Sequence, residues 1–447
     1  MCRVSRMGEA LGTRRPTLCR AHPPPAVGWA TPWAIRALPC LAGPAAAFAG
    51  ASRGPWPAPI GHKCAVDRAF FGATLLVVMR LHLNCITVAA LALWPGTGVR
   101  AHAQADVQAG GAALERRIAV MGTACDLEVQ AGSRSDALEA SEAALRALAA
   151  VEERLSTWRA TSELSRLNAA AVGESVEISE ALAKDFALCR EFALATEGAF
   201  DPSVGPLVAL WDLRGSGRVP PDAELESTLA QCGFERAFVF DGRRATRRLS
   251  GACLEEGAFG KGVGLDAAVA ALERRAVRGF IDLGGQVATL GIEREVLLAD
   301  PRDRARPVLA WILKSGSLAT SGNSENGRVI DGVRFGHILD PRSGRPAQDF
   351  GSITAHCASA ARADAYSTAA YVLGPARALL WDASRDDVAL IALCVEGGRL
   401  IARAAPELRG ALRPLVDDLS IEFSAGELPA QQVKVQRPER RKGGERR

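Results

Sequence analysis

Between residues 104 and 433 the apolar positions follow two spacings. Over 136–155, Leu138, Leu145, Leu148, Val151 and Leu155 recur at helical intervals, and Asp136 with Glu139 resembles a capping box, which predicts an amphipathic helix. A second helix is predicted over 179–196, with Leu182, Phe186, Cys189 and Phe192 on one face and Gly198 as its stop. Residues 265–275 read as a third helix and 361–373 as a fourth, ended by Gly374-Pro375. Strands are predicted at 118–120, 126–129, 237–240, 279–283, 296–299 and 388–394, with Gly284-Gly285 closing the one at 279–283. Helices and strands interleave without a repeat, so the pattern predicts an α+β fold.

The flanks have a different texture. Stretches such as Pro23-Pro24-Pro25 and Gly54-Pro55-Trp56-Pro57 carry neither periodicity. At Met79 a leader-like grammar begins: Arg80 and His82, an apolar run from Cys85 to Trp94, a Pro95-Gly96 break, then Ala101-His102-Ala103. This predicts a signal peptide over 79–103 cleaved after Ala103, and hence a periplasmic or secreted protein. Residues 1–78 then read as an over-extended start or a basic extension, 104–425 as the folded domain, and 426–447 as a basic tail. Arg80, His82 and Asn84 interrupt the best apolar run short of the ~18 residues of a transmembrane span.

Charge follows the same partition. The chain carries +4 in all, but residues 1–103 hold +9 and residues 434–447 hold +5, leaving −10 for 104–433. An acidic body argues against a folded basic face for nucleic acid. Its six cysteines, Cys125, Cys189, Cys232, Cys253, Cys357 and Cys394, are irregularly spaced with no CxxC and read as small buried hydrophobes.

The body has only His337 and His356, which excludes an HExxH helix or a His-rich zinc site. Gly260-Lys261-Gly262 is no P-loop, because Glu255 stands where the first glycine belongs and Gly262 where a hydroxyl residue belongs. Three features carry candidate chemistry. Gly257 to Gly262 opens the helix bearing Asp266, so free amides and a lysine meet there, as a phosphate site or an ordinary turn. Asp364 and Thr368 lie four apart on one helix face, as a hard oxygen pair for Mg²⁺ or as a helix-terminal charge beside a hydroxyl. His337 precedes the turn Asp340-Pro341, in a catalytic or a structural role.

Read in order, these pieces join others: Met121-Gly122-Thr123, Leu155-Ser156-Thr157-Trp158, Ser162 to Asn168, and Thr196 to Leu207 with Trp211. Asp282-Leu283-Gly284-Gly285, Thr320-Ser321-Gly322, His337 to Gly344 and Ala363 to Ala369 follow. Over about residues 115–400 the chain resembles the ApbE-like FAD:protein FMN transferases. The resemblance implies mixed or antiparallel sheets packed with helices, a T-fold-like architecture. It implies Mg²⁺-dependent transfer of FMN from FAD to a Thr or Ser hydroxyl of a partner flavoprotein, with release of AMP. On that pattern Asp364, Thr368 and the Ala258 carbonyl would hold Mg²⁺. Met121, Trp158, Ala199, Phe200, Asp201, Glu255, Lys261 and Ile338 would line the FAD site, and His337 would stand near the reacting phosphate. Trp158 replaces a usual Tyr, Glu255 a usual Asp, Gln286 an Asp after the glycine pair, and Asn323-Ser324 a usual Asp-Tyr. FAD hydrolysis to FMN and AMP, or flavin binding without catalysis, are the other readings of the same site. A diphosphate meeting a body of −10 needs local attraction from the metal, Lys261 and helix-start amides.

Overall fold

The computed structural model describes residues 99–102, 111–323, 327–330 and 332–424. Residues 1–78, the tail at 426–447 and, apart from Val99–His102, the expected leader lie outside the described residues.

Within them the chain builds a nine-stranded sheet. Its strands are β1 (Ala112–Val120), β2 (Thr123–Ala131), β3 (Arg278–Leu283), β4 (Gln286–Leu290), β5 (Gly316–Gly322), β6 (Gly351–Cys357), β7 (Ala389–Glu396), β8 (Arg399–Ala404) and β9 (Leu419–Phe423). Each lies beside the next, antiparallel throughout except for the parallel pair β8–β9. The α+β expectation therefore holds, and the sheet has the mixed character expected of it.

Three helices cover one face: α1 (Arg134–Leu155), α2 (Gly260–Glu273) and α3 (Ala360–Leu373). Leu148, Leu265 and Leu272 pack over Val129 and Ile281, while Tyr366 and Tyr371 pack over Ile353 and Ala355. The opposite face meets a four-stranded sheet made by Val99–His102, Arg294–Asp300, Asp303–Leu313 and Leu412–Pro414. Its Val296, Leu298, Leu309 and Trp311 pack against Val287, Ile391 and Leu393. Alternate residues of β7 thus enter different apolar layers, which explains its unbroken apolar run.

The four predicted helices are present, with shifted starts. Ser133, not Asp136, caps α1, its hydroxyl accepting from the Asp136 amide at 3.1 Å. Leu138 is half exposed, because Ala137, Ala140 and Ala144 form the buried stripe and let α1 lie close to α2. The second helix spans Glu180–Ala195 with all four expected side chains buried and Ser179 as its cap. The third begins at Gly260, so the glycine-rich segment is its first turn. Among the described residues no helix is long and apolar enough to cross a membrane. The six cysteines are free thiols, five buried and Cys253 partly so.

Candidate active site

The starts of α2 and α3 lie side by side. Gly262 makes this possible: a Cβ there would stand 2.3 Å from the Ala360 carbonyl oxygen and 2.5 Å from the Ala361 Cα. Each helix lends the other a carboxylate. Asp266 of α2 accepts from the Ser359 hydroxyl (2.6 Å) and from the amides of Ala360 (2.6 Å) and Ala361 (3.0 Å). Asp364 of α3 accepts from the Gly262 amide at 3.0 Å. The first-turn amides, which have no partner inside their own helix, are satisfied by an anion at the positive end of the dipole.

Asp364 keeps unused capacity. It is buried, and its other oxygen lies 3.7 Å from the Lys261 ammonium, an ion pair longer than a hydrogen bond. One turn on, the Thr368 hydroxyl donates to the Asp364 carbonyl at 3.2 Å. Ser321 of β5 places its hydroxyl 3.3 Å from that of Thr368 and 2.9 Å from that of Ser367.

These groups line a cavity of about 590 Å³, a size suited to a small-molecule site. It gathers Trp158, Ala199, Phe200, Asp201, Glu255, Ala258, Lys261, His337, Ile338, Asp364 and Thr368, eleven of the twelve residues singled out in the sequence. Met121 lies outside the lining. Its backbone is left-handed at φ 52°, its amide donates to Glu152 at 3.2 Å, and its sulfur packs so near α2 that a Cβ on Gly264 would be 2.7 Å away. Asp201 lines the cavity but spends its oxygens on the Ser203 amide and hydroxyl (2.7 and 2.6 Å) and the Phe234 amide (3.1 Å). It shapes its loop.

The hairpin between β3 and β4 supplies another wall. Gly284 and Gly285 both have positive φ, at 61° and 86°, as a tight two-residue turn requires. The Gly285 amide donates to Asp282 at 2.7 Å, and burial pushes that carboxyl up to about 7. Gln286 donates to the Ala360 carbonyl at 2.8 Å, bracing the start of α3, while its side-chain oxygen is buried without a hydrogen bond. Asn323 is buried against Gly336, where a Cβ would fall 2.1 Å from its amide nitrogen and force that side chain to move.

Burial, with Lys261 and Arg328 nearby, lowers the His337 imidazole to about 4, so it is neutral near pH 7. Its Nδ1 is buried without a hydrogen-bond partner. Burial also raises Glu255 to about 7, Arg214 opposing the rise through a 2.6 Å ion pair and Glu256 adding to it. Sequence reasoning missed Arg214, Arg304 and Arg328, which line the cavity and give this acidic body local positive charge. Nothing local in the chain separates them from solvated arginines. Ser321 was within reach of sequence reasoning, since it sits in the quoted stretch Thr320-Ser321-Gly322.

Among the described residues no group of three or more His, Cys, Asp and Glu is placed to hold a metal. A cation at this site would draw on one carboxylate with hydroxyl and carbonyl oxygens. Asp364 fits that role, because it is buried with one amide hydrogen bond and one long ion pair, and Thr368 and Ala258 line the same cavity. An all-oxygen donor set suits a hard ion such as Mg²⁺ rather than a thiophilic one.

A deep cavity that collects a neutral histidine, a buried carboxylate and several cations is the working site of an enzyme rather than a packing defect. Residues 121–392 match the family model described as the ApbE family, and the chain belongs to this family of flavin transferases. It is 30% identical over 246 residues to an FAD:protein FMN transferase of Vibrio cholerae serotype O1, covering 52% of this chain and 73% of the relative. To the FAD:protein FMN transferase of Klebsiella pneumoniae it is 32% identical over 260 residues, 54% of this chain and 74% of that one. The crystal structure of the ApbE protein from Thermotoga maritima superposes with a TM-score of 0.59 at 31% identity, covering 65% of this chain and 96% of that chain.

Proposed function

We propose that this protein transfers the FMN part of FAD to a threonine or serine hydroxyl of a partner flavoprotein, in a Mg²⁺-dependent reaction that releases AMP. The observation that carries the reading is the gathering of eleven of the twelve resemblance-assigned residues around one cavity. The names of the relatives support its coarser part, FMN transfer from FAD to protein.

In this reaction the acceptor oxygen forms a bond to the FMN phosphorus. The bond from that phosphorus to the bridging oxygen breaks, and its electron pair leaves on AMP. Mg²⁺, when bound by Asp364, Thr368 and the Ala258 carbonyl, supplies charge neutralisation on the diphosphate. Lys261 adds a cation at the start of α2, beside the dipole's positive end. His337 is neutral and therefore able to take the acceptor proton. Burial, with Lys261 and Arg328 adding to it, makes it a weak base, and an anionic diphosphate in the cavity would offset the part due to the two cations.

The leader-like grammar at 79–103 supports a location outside the cytoplasm. Cleavage after Ala103 would remove Val99–His102, which pairs antiparallel with Arg294–Asp300, and would leave that strand with an open edge. N-terminal sequencing of the native protein tests this: Gln104 as first residue supports export, and a peptide from 1–78 contradicts it.

Catalysis is tested by incubating the full chain with FAD, with and without Mg²⁺ and a candidate acceptor flavoprotein, and separating the nucleotides. Metal-dependent AMP release that requires an acceptor, and that Asp364→Ala abolishes, supports transfer. AMP with free FMN and no acceptor dependence supports hydrolysis; bound FAD without turnover supports a binding module. Full activity in Asp364→Ala would show the metal site misplaced.

A further inference from the structure

At the cavity rim Trp158 is 72% exposed, an unusual position for a large indole. The Arg214 guanidinium lies across its ring, 4.4 Å from the centroid. The same guanidinium donates through one nitrogen to the Thr157 hydroxyl and to the Glu255 carboxylate, both at 2.6 Å. The loop beneath is held from the same segment, since the Thr157 amide donates to Glu256 at 3.2 Å. Arg214 is thus fixed at two points and covers one ring face. The 72% exposure of Trp158 leaves the rest of the indole, including most of the second face, to solvent.

We propose that Arg214 is a positioning residue that holds the Trp158 ring in the plane against which the flat ring system of the dinucleotide substrate stacks. An exposed tryptophan on a turn has two free side-chain torsions, and ordering them on binding costs affinity unless another group has ordered them beforehand. A planar guanidinium can stack on the ring while bonding two acceptors in its own plane; an ammonium cannot do both. Glu255 serves as the anchor for Arg214, which gives this partly buried carboxylate a role that needs no contact with substrate.

The inference rests on FAD being the ligand, and its test separates the two claims. FAD affinity of the full chain is measured with Mg²⁺ present and acceptor omitted, by fluorescence quenching, for the parent, Arg214→Ala, Arg214→Lys, Trp158→Ala and the double variant. Arg214→Ala is expected to weaken FAD by about ten-fold, Arg214→Lys by nearly as much. In the Trp158→Ala background Arg214→Ala is expected to cost less than about two-fold, since its effect passes through the ring. In steady-state assays of the same variants with Mg²⁺ and acceptor, KM for FAD rises more than kcat falls. Without ligand, the emission lost on Trp158→Phe isolates this residue, and its anisotropy falls in Arg214→Ala while the melting temperature holds. An equal loss in both backgrounds, an unchanged anisotropy, or full affinity in Arg214→Ala overturns the assignment. If the parent binds no FAD, the FAD reading falls and this assignment with it.

Discussion

Gly262→Ala is the sharpest structural perturbation available. The new Cβ would meet two backbone atoms of α3, at 2.3 and 2.5 Å, and neither can swing aside as a side chain would. Ordinary contact needs roughly 3.4 Å, so the helix starts must part by about 1 Å; such overpacking costs about 1–3 kcal/mol. That separation also stretches the 3.0 Å bond from the Gly262 amide to Asp364 and loosens the Asp266 cap on Ala360 and Ala361. Weakening hydrogen bonds to charged groups adds about 1.5–3 kcal/mol. The expected total is about 2.5–6 kcal/mol, or a melting temperature lower by roughly 4–9 °C for a domain of this size. Denaturant unfolding of the full chain measures it, with Gly132→Ala as control, because Gly132 has no atom within 4 Å of the added carbon. The control should stay within about 0.5 kcal/mol of the parent. Parental stability in Gly262→Ala would refute the close approach of α2 and α3 and the carboxylate exchange built on it.

Other outcomes follow from buried charge and burial. Glu128 and Arg294 form an ion pair between β2 and the second sheet, both buried. Glu128→Ala strands the guanidinium and should cost about 3–5 kcal/mol, while Glu128→Leu with Arg294→Met should recover most of it; thermal melts distinguish the two. Glu255 ionises near 4.5 when unfolded but near 7 in the fold. Between those values the fold keeps a proton that the unfolded chain has released, so this group lowers stability as pH rises through that window. The stability of Glu255→Gln relative to the parent should therefore improve from about pH 5 to about pH 8, and a flat difference would contradict the burial. Burial raises the thiols of Cys125, Cys232 and Cys253 to about 12, 12 and 11. Alkylation near neutral pH should leave them unmodified in the native chain and label them all in denaturant, as read by mass spectrometry.

What the sequence disclosed divides along physical lines. The helix over Glu180–Ala195 was legible because one stripe, Leu182, Phe186, Cys189 and Phe192, faces one core. β5 and β6 were not, since Thr320, Ser321, Ser352 and Thr354, which border the cavity, break the alternation that marks a half-buried strand. Asp303–Leu313 was hidden by Pro307, which sits where the pairing with Arg294–Asp300 shifts register. At the site, Lys261, His337 and Asp364 stood in turns and at a helix start with their own local signals. Arg214 carried none, because its partners Trp158 and Glu255 become neighbours only when the segments around 158, 214 and 255 fold together. Asp266 was noticed as part of a helix, but its capping role depends on α3, more than ninety residues further on.

Transfer of FMN to protein is read most directly on the acceptor. The full chain is incubated with FAD, Mg²⁺ and a candidate acceptor flavoprotein, and the acceptor's intact mass is recorded. A gain equal to FMN less one water, localised to a threonine or serine and matched by one AMP released, is expected. An unmodified acceptor in the presence of AMP and free FMN would contradict it.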